Sequence, residues 1–299
     1  MYDLMRYFVS VAELGTLTAA ARRVHVTQPA LTFALKRLED EVGAVLVVRS
    51  RPKVGLTEAG RAFLPHARAA LAAVNDGLRA VEEVTGLRAG SVSIGAGATA
   101  CTYYLPPILA EYRRLWPKVS ILVREAPTRE LESGLAAGEL DLALVSTDDG
   151  ARGDFFCDDE LVLVARSRAV APDAPFVTFP RGAHARDVLD ELFPEATIAM
   201  EIASIAAVKA NVRAGVGIAL VSRRAVARDL ANRQLVELRS ARTPVVRKLS
   251  LVHRGVALLP PAALALRELL LARRPSEPLR KKDTKRLPKR APASRKPSD

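Results

Sequence analysis

From residue 91 to residue 272, strand-like and helix-like segments alternate, and nothing else in the chain restricts its fold as strongly. SVSIGA reads as a strand and LPPILAEYRRL as a helix; SILVRE, TRELESGLAAGEL and DLALV then repeat strand, helix, strand. A second set follows: LVLVA, FVTF, the helix ARDVLDELF, the strand TIAME, the helix IAAVKANVRAG and the strand GIALV. VVRKLSLVH and the helix PAALALRELLL close the series. Such alternation predicts a mostly parallel sheet with helices on its faces.

The chain of 299 residues is long enough for two or three domains, and 49% apolar content suffices for their cores. No apolar run reaches membrane-spanning length, and MYDLMRYF lacks the apolar stretch of a secretory signal, so the expected compartment is the cytoplasm. Cys101 and Cys157, the only cysteines, build neither a disulfide scaffold nor a zinc cluster. The net charge of +12 is uneven. Residues 1–90 hold 12 basic and 9 acidic residues, residues 91–272 hold 22 and 21, and residues 273–299 hold 11 and 3. Most of the basicity therefore lies in a tail, rich in Pro, Lys and Arg, that is expected to be disordered.

The first ninety residues follow a different pattern. Leu4 to Leu14 reads as a short helix ended by Gly15, and Thr16 can cap the next one, with Ala20, Ala21 and Val24 on its packing side. After His25 and Val26, a third helix opens at Thr27 and carries Leu31, Leu35, Leu38 and Val42 as one buried stripe. Its other face holds Gln28, Ala30, Thr32, Phe33, Lys36 and Arg37, groups suited to base edges and phosphates. A plain solvated face is the alternative. VLVVRSRPKVGLT, Val45 to Thr57, reads as two short strands joined by a basic loop, in which Arg49, Arg51 and Lys53 suit backbone phosphates or a minor groove. From Thr57 to Thr85 one long helix is expected, with Pro65 near its start removing a hydrogen bond. Its Leu64, Ala67, Leu71, Val74, Leu78 and Val81 form a heptad seam that favours self-association.

The stretch TAAARRVHVTQPALTFALKRLEDEVGAVLVVRSRPKVGLTEAGRAF resembles the winged helix-turn-helix of LysR-type transcriptional regulators. It shares the alanine pair after a capped helix start, Thr-Gln-Pro-Ala-Leu-Thr (Thr27–Thr32) opening the recognition helix, Leu-Glu ahead of a Gly, and Leu-Thr-x-x-Gly opening the linker helix. The resemblance implies DNA contacts from Thr27, Gln28, Pro29, Ala30, Thr32, Phe33, Lys36, Arg37, Arg49, Arg51 and Lys53. Phe33 departs from it, since members often carry a basic residue there; an aromatic suits a thymine methyl instead of guanine or phosphate.

The implied architecture is an all-α winged helix-turn-helix with a long linker helix, followed by a two-lobed α/β domain like that of periplasmic solute-binding proteins. The boundaries are 1–58 for the DNA-binding domain, 59–90 for the linker and dimerisation helix, and 91–272 for the effector domain. Lobe I spans about 91–163 and 240–272, lobe II about 164–239, and 273–299 form the basic tail. A two-fold dimer, or a tetramer, implies a near-palindromic operator in double-stranded DNA, with RNA polymerase as a further partner.

Ligands of open sheets bind beyond the carboxyl ends of strands. Three loops qualify: Gly97–Thr102, Ser146–Thr147 and Ala203–Ser204. By resemblance, the effector cleft is lined by Thr99, Cys101, Thr102, Ser146, Thr147 and Ser204, with Arg186 at the rim to neutralise an anionic effector. Gly97, Ala98, Ala183 and Ala185 stand where close relatives tend to have Ser or Thr, so the cleft has fewer hydroxyl donors. His25, His66, His184 and His253 lack metal-ligand spacing, and neither a Walker motif nor the dinucleotide fingerprint occurs. The expected protein is therefore a bacterial, nucleoid-associated regulator and not an enzyme, without metal or cofactor and without membrane contact. A solute-binding module without a DNA role is the competing reading, and it leaves the first ninety residues unexplained.

Overall fold

The computed structural model describes residues 1–50, 53–84, 90–147, 153–171, 173–275 and 285–286. α1 (Tyr2–Leu14) ends where Gly15 turns left-handed at φ 64°. α2 (Leu17–Arg23) is capped by Thr16, whose hydroxyl accepts from the Ala19 amide at 3.3 Å. α3 (Gln28–Val42) is capped in the same way by Thr27, which accepts from Ala30 N–H at 3.3 Å. Phe8, Val11, Ala20, Leu31, Leu35 and Leu38 close the core between the three helices. Ala34 joins the buried stripe of α3, while Val42, expected within it, is 36% exposed because α3 outruns the core there.

The wing forms as expected: β1 (Val47–Ser50) pairs antiparallel with β2 (Lys53–Leu56). Glu39 on α3 accepts from the amides of Leu46 and Val47 at 2.8 and 3.1 Å, and Val54 N–H donates to Gly15 O at 2.8 Å. The wing is thus tied to both α3 and the end of α1. α4 (Glu58–Val84) then runs 27 residues, about 40 Å. Gly60 permits its start, since a Cβ there would lie 2.0 Å from the Leu46 carbonyl oxygen.

The heptad seam of α4 divides in two. Ala67 is fully buried and Leu64 partly so, both against the helix-turn-helix core. Leu71 is half-buried, whereas Val74, Leu78 and Val81 are 46%, 60% and 61% exposed. On another face, the same helix docks onto the α/β domain. Ala72 meets Gly138 so closely that a Cβ on the glycine would lie 2.3 Å from the alanine methyl. Beside that contact, Arg79 donates to Asp76 at 2.5 Å and to Asp141 at 2.6 Å, and Arg254 pairs with Asp76. Asp141 also accepts from Ser93 N–H and Oγ at 2.7 and 2.8 Å. Both carboxylates are almost fully buried, and each has an arginine partner.

The α/β domain contains β3 (Ser91–Ala96), α5 (Ala98–Tyr103), α6 (Leu105–Leu115), β4 (Ser120–Glu125), α7 (Thr128–Ala136) and β5 (Leu142–Thr147). It continues with β6 (Asp154–Ala165), β7 (Phe176–Thr178), α8 (His184–Leu192), β8 (Ile198–Glu201) and α9 (Ile205–Ala214). β9 (Ala219–Ser222), α10 (Arg223–Ala231), β10 (Val236–Glu237), β11 (Val245–Val252) and α11 (Pro261–Ala272) complete it.

The sheet is mixed, which corrects the expectation of a mostly parallel one. β3 pairs parallel with β4 and β5, but β11 runs antiparallel to β5 and β6, and β6 antiparallel to β9 and β10. The reason is that β6 and β11 are long strands crossing between two lobes. The first half of β6 pairs with β11, while Leu161–Val164 pair with β9 in the second lobe. β7 and β8 form a small parallel sheet in that lobe. α11 returns to the first lobe, where Leu266 and Leu270 join Tyr112 in the core and the Tyr112 hydroxyl donates to Ala262 O at 2.7 Å.

Most of the basic tail lies outside the described residues. Its start is ordered against the first lobe, with Arg273 forming a two-pronged pair with Glu111 at 2.9 and 2.7 Å. Lys285–Arg286 form a two-residue strand, β12, parallel to β11, which departs from the disorder expected for the whole tail.

Candidate DNA-reading face and interlobe cavity

The face of α3 opposite its buried stripe is open. Gln28, Pro29, Ala30, Phe33, Lys36 and Arg37 are exposed; Phe33 stands out at 72%, while Thr32 is half-buried. Thr27 is committed to its cap. The Thr18 hydroxyl on α2 donates to Gln28 Oε1 at 3.3 Å. Arg37 is paired with Glu41 one turn on, at 3.2 Å. Arg49 and Lys53 fall on the two wing strands, although their side chains, like all of Arg51, lie outside the described residues. One compact surface therefore carries a neutral amide, a hydroxyl, an aromatic ring and cations, the groups that hydrogen-bond base edges, pack on methyls and meet phosphates.

The second site is a cavity of about 250 Å³ between the lobes. All three loops expected at the strand ends contribute to it, through Gly97–Ala100, Ser146 and Ala203. Of the side chains assigned to the effector, Thr99 and Ser146 line it. Gly97, Ala98, Ala183 and Ala185 line it too, so the positions lacking hydroxyls do face this space.

The remaining assignments are placed otherwise. Arg186 is not a free cation at the rim: it is 4% exposed and donates to Asp190 at 2.7 Å and to Glu201 at 2.5 Å. Thr147 hydrogen-bonds Ser250 at 2.9 Å, Ser204 caps α9 by accepting from Ala207 N–H, and Thr102 is exposed away from the cavity. The Cys101 thiol points back at Ala96 O at 3.4 Å; burial, reinforced by the Glu125 charge, pushes its pKa up to about 11. Burial likewise pushes Cys157 up to about 12.

Three groups lining the cavity escaped the sequence reading: the turn from Glu125 to Thr128, the segment Phe179–Arg181, and Arg247 with Leu249 on the crossing strand β11. The first was open to the same strand-end rule, since SILVRE runs directly into a helix start at Pro127. Arg247 was not, because its role depends on a partner 88 residues away: its Nε donates to Asp159 at 2.8 Å. The Asp159 carboxylate also accepts from Tyr104 of the first lobe at 2.9 Å and from Ser222 of the second at 2.6 Å. It therefore ties both lobes to the wall of the cavity, and it joins burial in pushing the Tyr104 phenol far above its ordinary range. α7 and α8 both begin at this cavity without a side-chain cap.

A winged helix-turn-helix carried on a long helix, with a two-lobed domain closing on a small-molecule cavity, defines a transcription regulator that senses its own signal. Comparison with known proteins agrees. Residues 2–61 match the bacterial regulatory helix-turn-helix of the lysR family, and residues 85–275 match the LysR substrate binding domain. A probable RuBisCO transcriptional regulator of Cyanidioschyzon merolae is 31% identical over 76% of this chain and 83% of its own. The RuBisCO operon transcriptional regulator of Allochromatium vinosum is 30% identical over 90% and 94%. Among solved structures, ArgP from Mycobacterium tuberculosis superposes with a TM-score of 0.65 at 20% identity, over 90% of this chain and 96% of its own. The chain belongs to the LysR family: it is a DNA-binding transcriptional regulator with an effector-binding domain, and a sensor module without a DNA role is set aside.

Proposed function

We propose that α3 enters the major groove, with Gln28 and Thr32 reading base edges and Lys36 and Arg37 near the groove walls, while Arg49, Arg51 and Lys53 of the wing hold the flanking backbone. Two chains associate through Val74, Leu78 and Val81 of α4, as a dimer or as a dimer of dimers, so the operator is near-palindromic. The protein works in the cytoplasm on the nucleoid, where RNA polymerase is its further partner. A small molecule occupies the interlobe cavity and selects one arrangement of the lobes. Arg181 and the uncapped start of α8 suit an acidic group on that molecule, whereas the start of α7 adjoins Glu125; Arg186, already held by two carboxylates, does not suit one.

The observation that carries the DNA assignment is the open face of α3, whose opposite face is the domain's core. The test is a gel shift on the DNA flanking the protein's own gene, at several salt concentrations. Gln28→Ala should blunt discrimination at one base step by about tenfold or more. Arg49→Ala should weaken binding to all sequences and lower the salt slope by about one. Operator selectivity unchanged in Gln28→Ala would remove α3 from the readout.

A further inference from the structure

Phe33 lies roughly 150° around α3 from the centre of the stripe formed by Leu31, Ala34, Leu35 and Leu38, about as far from the core as a helix position allows. It is 72% exposed, more than any other large apolar side chain among the described residues. One turn earlier on the same surface stand Pro29 and Ala30, both exposed, and one turn later stand Lys36 and Arg37. The first two turns of α3 therefore carry a small apolar patch fringed by cations and by the Gln28 amide. The ring makes no contribution to the fold, and its setting fits a particular partner. A protein surface that buried this patch would also have to bury or pair Lys36 and Arg37, whereas phosphates flank the major groove on both sides. Within that groove the apolar group on a base edge is the C5 methyl of thymine.

We infer that Phe33 is a specificity-determining residue that packs on a thymine methyl in each half-site, so that this regulator selects thymine through its methyl at that step. The inference rests on α3 being the reading helix. The methyl alone is worth about fourfold in affinity per half-site when buried. Without the ring, the protein loses that preference but keeps the contacts made by Gln28 and the cations.

The experiment uses the full-length protein and an operator selected from randomised duplexes, with each thymine replaced singly by deoxyuridine, which removes the methyl and leaves the pairing edge intact. Affinity is read by fluorescence anisotropy at one salt concentration. In the wild type, one thymine per half-site should show a loss of about fourfold on replacement, and about fifteenfold when both half-sites are changed. In Phe33→Ala that loss should vanish, and Phe33→Leu should retain part of it. The exposed position leaves both variants folded, which the thermal midpoint checks. A wild type indifferent to every replacement, or a penalty of the same size in Phe33→Ala, would overturn the inference. So would a Phe33→Ala variant that changes only the sedimentation of the protein, since the ring would then cover another protein surface. Gln28→Ala and Lys36→Ala separate the two levels: if both bind as wild type, α3 is not the reading helix. If both weaken while the methyl penalty survives in Phe33→Ala, the Phe33 assignment alone is wrong.

Discussion

Cys101 sits midway along the short α5, next in sequence to Ala100 of the cavity wall, where a thiol invites a redox role, yet its surroundings oppose one. Its sulfur donates to Ala96 O, burial disfavours the thiolate, and the nearby Glu125 carboxylate disfavours it further. With a pKa of about 11, the group is almost wholly a thiol at neutral pH, so nucleophilic attack is slow. Alkylation by iodoacetamide should be much slower than for a small free thiol at pH 7.5. Its rate should climb about tenfold per pH unit until pH nears 11, as the thiolate fraction rises. Fast labelling at pH 7.5, followed by mass spectrometry, would show that the thiol is not held in this way. Arg186 teaches a related lesson. Its pairing with Asp190, four residues on in a helical stretch, was open to inspection in the sequence, but Glu201 arrives from β8, and only the fold reveals that the cation is fully engaged.

At the scale of elements, α4 carries one continuous apolar pattern that serves two ends. Leu64 and Ala67 close the helix-turn-helix core, whereas Val74, Leu78 and Val81 remain exposed in the single chain. Leu78→Glu should therefore leave the thermal midpoint of the N-terminal domain nearly unchanged and shift the protein toward monomer in sedimentation. Leu64→Ala should instead destabilise that domain by about 2 kcal/mol in urea unfolding and leave the association constant little altered. If Leu78→Glu sedimented as wild type, the exposed half of α4 would not be the interface.

The caps at Thr16 and Thr27, the wing, the long helix and nearly every strand were legible because each is local chemistry: a hydroxyl at a helix start, a spacing, a run of β-branched residues. What escaped was non-local. The apolar pattern marks only LVLVA as a strand, yet DFFCDDE forms the first half of β6, because Asp159 and Glu160 are neutralised by Arg247 and Arg223 from distant elements. α10, RRAVARDLA, was missed for the same reason, its Asp229 being buried against Lys209 and Arg213 of α9. In the cavity, loops that end strands were readable, and the wall supplied by β11 was not.

For the whole molecule, the contact between α4 and the first lobe matters most. Asp141→Asn removes a charge that Arg79 and two Ser93 donors satisfy, and Arg79 is then left with less than its full complement. Breaking one partner of a buried pair typically costs about 3–5 kcal/mol; Arg79 keeps Asp76, so about 2 kcal/mol is expected here, read as a lower urea midpoint of the α/β domain. An unchanged midpoint would mean that the pair contributes nothing to the docked arrangement. The same four charges and the Ala72–Gly138 contact also fix how many parts of the protein can turn. With the reading helices riding on α4 and α4 bolted to the first lobe, those three form the frame. The second lobe, joined to the frame through β6, β11 and the Asp159 contacts with Tyr104 and Ser222, would then be the rotor. Under the function proposed above, a ligand that draws the lobes together would spend its binding free energy turning that rotor.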